Sequence, residues 1–185
     1  MIIANWKCNG SKKMIQDWSK HYKDTFIPFE NTFVGIAPPC IYVEQLINLI
    51  NAHGLDIQIG VQDIDISSGA RTGAISVDMI QDMQCQFTIL GHSERRTIFD
   101  ESNESISAKL DSVGNKVQTI LCVGESAKEN NAKETRNVLI DQLSVIEGKV
   151  LPSSFSVAYE PVWAIGTGNT PTSEEINDIH KFIKD

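Results

Sequence analysis

Short apolar runs rich in β-branched residues alternate along the chain with longer segments of mixed polarity. Their length and nearly continuous hydrophobicity predict short strands that are buried on both faces. We therefore expect six strands separated by helical connections. The runs cover residues 1–5, 32–37, 56–61, 87–91, 117–124 and 155–159.

The segments between these runs carry the signals of helices. Apolar residues recur at helical spacing after the first two strands, and Ser11 and Ser102 stand at helix-start positions. Thr172 with Glu175 has the spacing of a capping box. A repeated strand–helix order predicts a parallel sheet with helical crossovers, either open or closed into a barrel.

Chain length constrains the barrel alternative. Six units in 185 residues is about 31 residues per unit, and eight such units would need about 250 residues. A (β/α)8 barrel would therefore lack roughly its last quarter in this sequence. No linker rich in proline, glycine or serine divides the chain, so one C-terminally truncated barrel domain is predicted over residues 1–185.

Composition and motifs exclude several function classes. Lysine and arginine total 16 against 24 acidic residues, and the net charge of −8 argues against nucleic acid or an anionic membrane as partner. The glycine motifs G-x-G-x-x-G and G-x-x-x-x-G-K-[ST] of nucleotide-binding sheets are absent. The spacing of the four cysteines and four histidines indicates neither a disulfide framework nor a metal site. With no targeting segment, a reducing cytoplasm is the expected location.

Polar residues directly after the strands are the candidates for chemistry, because the carboxyl ends of parallel strands meet at one rim. Glu160 follows the last strand, where partial burial would suit a general base; alternatively it pairs with Arg95 or Arg96. His92 precedes a helical segment, whose positive end favours a neutral imidazole; alternatively it is structural. Lys7 follows the first strand and either attracts an anion or is a solvated charge.

Two loops are unusual. The segment 161–168, P-V-W-A-I-G-T-G, places apolar residues between a proline and two glycines, which suits a moving lid or a packed connection. The segment 62–76 is long and glycine-containing, and we expect it to protrude. A glycosidase with Glu94 and Glu160 as its carboxylate pair is conceivable, but it leaves the lysine, the histidine and the apolar loop unexplained.

Four motifs together resemble the triosephosphate isomerase family. They are N-W-K at 5–7, G-H-S-E-R-R at 91–96, L-C-V-G-E at 121–125 and Y-E-P-V-W-A-I-G-T-G at 159–168. The resemblance extends over the whole chain and implies a (β/α)8 TIM barrel, of which six βα units are present. It also implies interconversion of dihydroxyacetone phosphate and glyceraldehyde 3-phosphate through an enediolate, within glycolysis and gluconeogenesis, with neither cofactor nor metal.

The resemblance assigns roles to residues at the rim. Glu160 would move the proton between adjacent carbons, and His92 would polarise the carbonyl oxygen as a neutral donor. Lys7 with Asn5 would hold the anionic substrate. The loop 161–168 would close over the phosphate, with the backbone N–H of Gly166 as a donor.

Further residues would support these groups. Ser93 would be the resting partner of the base, Glu94 would join the polar network beside the lysine, and Cys122 would pack behind the base. The loop 62–76 resembles the family's dimer loop, in which Thr72 reaches into the partner's active site. A homodimer is therefore implied if the barrel is complete.

The sequence departs from the family pattern in two respects. Position 74 is alanine where the family usually has glutamate, and position 71 is arginine where an aromatic is usual. Position 74 therefore lacks the carboxylate that would pair with the partner's Arg95. The last two βα units, with their glycine-rich phosphate loops, are not in this sequence.

That second departure leaves another hypothesis open, in which the chain is a catalytically inactive partial barrel that self-associates through the edges of its first and sixth strands. Residues 1–185 expressed alone would then be oligomeric or aggregation-prone, with little isomerase activity. A stop after codon 185 would favour this alternative, and a continuation of about 60 residues would favour the enzyme.

Overall fold

The computed structural model of the protein describes residues 1–27 and 30–185. Within these residues the chain forms one six-stranded parallel sheet in the order β1-β2-β3-β4-β5-β6. All six predicted strands are confirmed, and the sheet is a curled half-barrel of βα units. The strands are β1 Ile2–Asn5, β2 Val34–Ala37, β3 Gln58–Val61, β4 Phe87–Leu90, β5 Gln118–Val123 and β6 Ser156–Tyr159.

Helices connect the strands and begin at the predicted caps. Ser11 accepts the N–H of Met14, and Thr172 forms a capping box with Glu175. The helices are α1 Lys12–Thr25, α2 Val43–His53, α3 Val77–Asp82, α4 Ser93–Ile98, α5 Asn103–Val113, α6 Ala127–Asn131, α7 Thr135–Leu143 and α8 Ser173–Lys184, with short 3-10 turns at Cys40–Tyr42 and Ser144–Ile146. No described helix is long and apolar enough to cross a membrane.

Apolar side chains pack on both faces of the central strands. Between the sheet and the helices the fully buried residues include Ile15, Leu46 and Ile106. On the concave face Phe87 is fully buried, and a Cβ added to Gly60 would lie 2.5 Å from its ring. Glycine at this position of β3 therefore leaves the space that the phenylalanine of β4 fills.

The two outer strands are less buried than the sequence predicts. β1 alternates between exposed and half-buried residues, and all four residues of β6 are half-buried. The prediction of strands buried on both faces is therefore wrong for these two. They are the edges of the sheet, so each has a neighbouring strand on one side only.

The loop 62–76 is irregular and exposed at its tip, as predicted. Its base is closed by a hydrogen bond from the N–H of Asp65 to the carbonyl oxygen of Ile75, at 2.8 Å. Arg71 pairs with the same aspartate, with 2.5 Å between Nε and Oδ1. The arginine that replaces the expected aromatic therefore has a partner within its own loop.

Candidate active site

The predicted candidates at the rim converge. Asn5 ends β1, His92 lies two residues beyond β4, and Glu160 directly follows β6. Because all strands are parallel, these three residues share one edge of the sheet. Together with Cys122 they line a cavity of about 440 Å³ on the concave side.

One polar contact in this cavity joins an imidazole and a carboxylate. Nε2 of His92 lies 3.1 Å from Oε1 of Glu160, and both side chains are largely buried. The other carboxylate oxygen, Oε2, accepts the backbone N–H of Ser93 at 3.1 Å. Ser93 thus contacts Glu160 through its backbone N–H rather than its hydroxyl.

The backbone determines which nitrogen of the imidazole carries the proton. His92 is the N-cap of α4, and its Nδ1 accepts the N–H of Glu94 at 3.2 Å. A nitrogen that accepts a hydrogen bond has no proton of its own, so in the neutral ring the proton is on Nε2. The imidazole therefore directs a donor N–H toward the cavity.

The ammonium of Lys7 is connected to the same cluster. Its Nζ lies 2.8 Å from Oε1 of Glu94, whose Oε2 lies 3.7 Å from Nδ1 of His92. The lysine backbone has a φ of +50°, a conformation that non-glycine residues rarely adopt. The side chain of Asn5 accepts the backbone N–H of Lys7 at 2.9 Å, and the side-chain amide of Gln62 donates to the backbone carbonyl oxygen of Lys7, also at 2.9 Å. Two side chains thus stabilise this strained position.

The arginines do not pair with the candidate base. Among the described residues, Nε of Arg95 lies 3.0 Å from Asp63, and Nε of Arg96 donates to the carbonyl oxygen of Gly91 at 2.8 Å. Glu160 contacts His92 instead. The alternative in which Glu160 serves only as an arginine partner is therefore wrong.

Cys122 in β5 and Gly124, which directly follows this strand, pack against Glu160. Burial and the charge of Glu160 raise the pKa of the Cys122 thiol, so this cysteine behaves as an apolar wall. A Cβ added to Gly124 would lie 1.7 Å from the carbonyl oxygen of Glu160. Glycine is therefore required where the β5 end passes the residue that carries the carboxylate.

The first half of the loop 161–168 is anchored to a buried carboxylate. Glu125 is fully buried and accepts hydrogen bonds from the indole N–H of Trp163, at 2.7 Å, and the hydroxyl of Tyr159, at 3.0 Å. Ile165 and Gly166 are exposed, and Gly166 has a φ of +72°. The loop therefore has a fixed beginning and a solvent-exposed middle.

This anchor is absent from the sequence-based predictions, although the chain carries a signal for it. Buried tryptophan and tyrosine need an acceptor for their polar hydrogens. The carboxylate of Glu125, at the end of an apolar strand, is such an acceptor.

Thr72 lines a second cavity, of about 510 Å³, together with Lys7 of the same chain and with Cys8 and Gln62. Its predicted contact with a partner subunit stays a prediction. Ala74, where the family usually has glutamate, lines the same cavity and offers no charge.

Comparison with known proteins identifies the family. The triosephosphate isomerase family model matches residues 1–185. Triosephosphate isomerases of Erwinia tasmaniensis and Sodalis glossinidius are each 38% identical over 192 residues, and that of Klebsiella pneumoniae is 37% identical over 190. Each alignment covers all of this chain and 74% of the relative. The chain belongs to the triosephosphate isomerase family.

Proposed function

We propose that the protein interconverts dihydroxyacetone phosphate and glyceraldehyde 3-phosphate by proton transfer through an enediolate. The observation that carries this proposal is the contact at the strand ends between the carboxylate of Glu160 and Nε2 of His92, whose Nδ1 accepts a backbone N–H. A carbon-bound proton beside a carbonyl is removed efficiently only when a base and an oxyanion donor act together. This pair can supply both groups.

Glu160 and His92 divide the reaction between them. The carboxylate takes the proton from the carbon that carries the hydroxyl, and the electron pair of that C–H bond forms the enediolate double bond. Nε2–H of the imidazole donates to the carbonyl oxygen, which gains negative charge. The carboxylic acid then returns its proton to the adjacent carbon, and the proton of the original hydroxyl passes to the former carbonyl oxygen. A new carbonyl thus forms on the first carbon, and the base is regenerated.

Lys7 and Asn5 would hold the anionic substrate. With a net charge of −8 for the chain, local positive potential is needed to attract a phosphate ester. Glu94 contacts both the ammonium of Lys7 and the imidazole of His92, so the ammonium lies beside the reacting pair. Asn5 accepts the backbone N–H of Lys7 and so helps to hold its strained conformation. Lys7 would therefore act on the substrate both before and during the reaction.

The loop 161–168 would exclude water while the enediolate exists. Its beginning is held by Trp163 on Glu125, so closure would move the exposed half that contains Ile165 and Gly166. Gly166 is exposed and has a positive φ, and its backbone N–H would donate to a phosphate oxygen when the loop closes. Solvent exclusion strengthens the electrostatic contacts inside the site.

Three neighbouring residues would tune the base and the ammonium. The backbone N–H of Ser93 would hold Glu160 when the loop is open, and the neutral thiol of Cys122 would keep the space behind it dry. Glu94 would keep Lys7 beside the site in the absence of substrate.

We also propose a homodimer in the cytoplasm. The exposed tip of the loop 62–76 presents Thr72 next to the cavity that holds Lys7, and a second subunit would dock there. Cys8 and Cys40 are exposed free thiols, which suits a reducing compartment. Size-exclusion chromatography with light scattering would show a dimer, and Thr72→Arg should shift it toward monomer.

The function is tested with the full gene product and dihydroxyacetone phosphate, followed by NMR without coupling enzymes. Conversion to glyceraldehyde 3-phosphate that His92→Ala abolishes would support the proposal. A folded protein without turnover would contradict it and favour the partial barrel without activity.

A further inference from the structure

Four charged side chains form a closed ring beside the proposed site. Nζ of Lys109 lies 2.7 Å and 2.8 Å from the two carboxylate oxygens of Asp63, and it also contacts Glu101. Nε of Arg95 lies 3.0 Å from Asp63 and 3.3 Å from Glu101. Cations and anions thus alternate around the ring, and its net charge is zero.

Three of the four side chains are largely withdrawn from water and that of Arg95 is 31% exposed, so the charge balance of the ring matters. The side chains of Lys109 and Glu101 are 7% and 4% exposed, and that of Asp63 is 19% exposed. Despite the short contacts, Nε–H of Arg95 makes no hydrogen bond within the described residues. Nε of Arg95 is therefore held by charge rather than by a hydrogen bond, and the guanidinium lies over the ring of Phe99 at 5.1 Å. Loss of one carboxylate charge would leave two cations facing one anion.

The ring attaches α4 to β3. Asp63 lies two residues beyond β3, and Arg95 lies in the first turn of α4. Glu101 belongs to the α4 side, since its N–H donates to the carbonyl oxygen of Arg95 at 3.1 Å. Asp63 therefore supplies the contact through which β3 holds the turn that begins at His92.

The residue before Asp63 holds the other side of the site. The amide of Gln62 donates to the carbonyl oxygens of Lys7 and Ala37, each at 2.9 Å. Consecutive residues after β3 thus fix the backbone of the ammonium-bearing segment and the helix turn that carries the imidazole.

We propose that Asp63 is a positioning residue for the isomerase site: its carboxylate, through Arg95 and Lys109, holds the first turn of α4 so that His92 keeps its contact with Glu160. This inference rests on the proposed function. Asp63 acts through other side chains and not on the substrate. Because a displacement of about 1 Å in a reacting group can cost about 100-fold in rate, loosening this turn should lower kcat.

The test uses the full gene product and separates the charge of the Asp63 side chain from its shape. Asp63→Asn keeps the shape and removes the charge; we expect kcat to fall about tenfold or more while KM changes less than about threefold. Amide hydrogen exchange over residues 91–98 should accelerate. Asp63→Glu restores the charge and should recover most of kcat. Asp78→Asn, which breaks an exposed 2.9 Å pair with Lys116, should leave both readouts unchanged.

Several outcomes would overturn the proposal. Wild-type kcat or wild-type exchange over residues 91–98 in Asp63→Asn would do so, as would equal impairment by Asp63→Glu. If the wild-type protein does not turn over triose phosphate, the proposed function fails, and amide exchange alone then decides on the positioning role. If Asp63→Asn does not fold, the double variant Asp63→Asn, Lys109→Met is tested in its place. It removes one cation together with the anion, so Arg95 stays balanced by Glu101. Wild-type kcat in this double variant would also overturn the proposal.

Discussion

Replacing Gly124 by alanine should displace the catalytic base as well as destabilise the fold. An ideal Cβ at this position would lie 1.7 Å from the carbonyl oxygen of Glu160 and 2.6 Å from its carbonyl carbon. Ordinary contact begins at 3.4 Å, so the oxygen and the new methyl group must separate by about another 1.7 Å. Gly124 cannot easily move away, because Gln142 bonds both its N–H, at 2.7 Å, and its carbonyl oxygen, at 3.1 Å. The shift therefore falls largely on the segment that carries the base.

A displacement of this size at the reacting carboxylate should lower kcat by about 100-fold or more. The assay is steady-state isomerisation by the full gene product, beside urea unfolding of the same sample. Gly35→Ala is the matched control. The three atoms nearest to its Cβ would belong to the side chains of Phe87, Ile3 and Phe33, so it should reduce stability without lowering kcat to the same extent. Near-normal kcat in Gly124→Ala would refute the reasoning that the β5 end sets the position of the base.

Three further changes test separate parts of the account. Lys7→Met should raise KM about tenfold or more, because a charge-assisted contact with the substrate anion is lost; an unaltered KM would remove the lysine from the site. Ile165→Gly should loosen loop closure and raise the ratio of phosphate elimination to isomerisation in product analysis, and an unchanged ratio would favour a packed connection. Burial raises the pKa of the Cys85 thiol from 9.0 to about 11, so the folded protein retains this proton to higher pH than the unfolded chain. The free energy of unfolding should therefore fall as pH rises from about 9 to about 11, and urea titrations of Cys85→Ala should lack this part of the decline; an identical pH slope in wild type and variant would contradict it.

The strands and the rim could be predicted from the sequence because both depend on local pattern. Apolar runs of five to eight residues indicate the strands, and parallel order places Asn5, His92 and Glu160 at one edge. The exposure of β1 and β6 could not be predicted, because a hydrophobic run does not show which strands are sheet edges.

Contacts between residues that are far apart in sequence could not be predicted from the sequence patterns. The indole of Trp163 meets Glu125 across 38 positions, and Lys109 meets Asp63 across 46. Neither pair has a helical or strand spacing, so periodicity gives no signal for it. The partners are set by the way neighbouring βα units pack, which only the folded chain shows.

Exchange of carbon-bound hydrogen with solvent tests the central claim most directly. Dihydroxyacetone phosphate is incubated with the full gene product in D2O, and deuterium incorporation is followed by NMR for wild type and Glu160→Gln. The amide keeps the shape of the side chain but cannot take a proton, so exchange should slow by about 10² to 10⁴ while substrate binding persists. Exchange by Glu160→Gln at the wild-type rate would show that another group removes the proton, and the account of this site would be wrong.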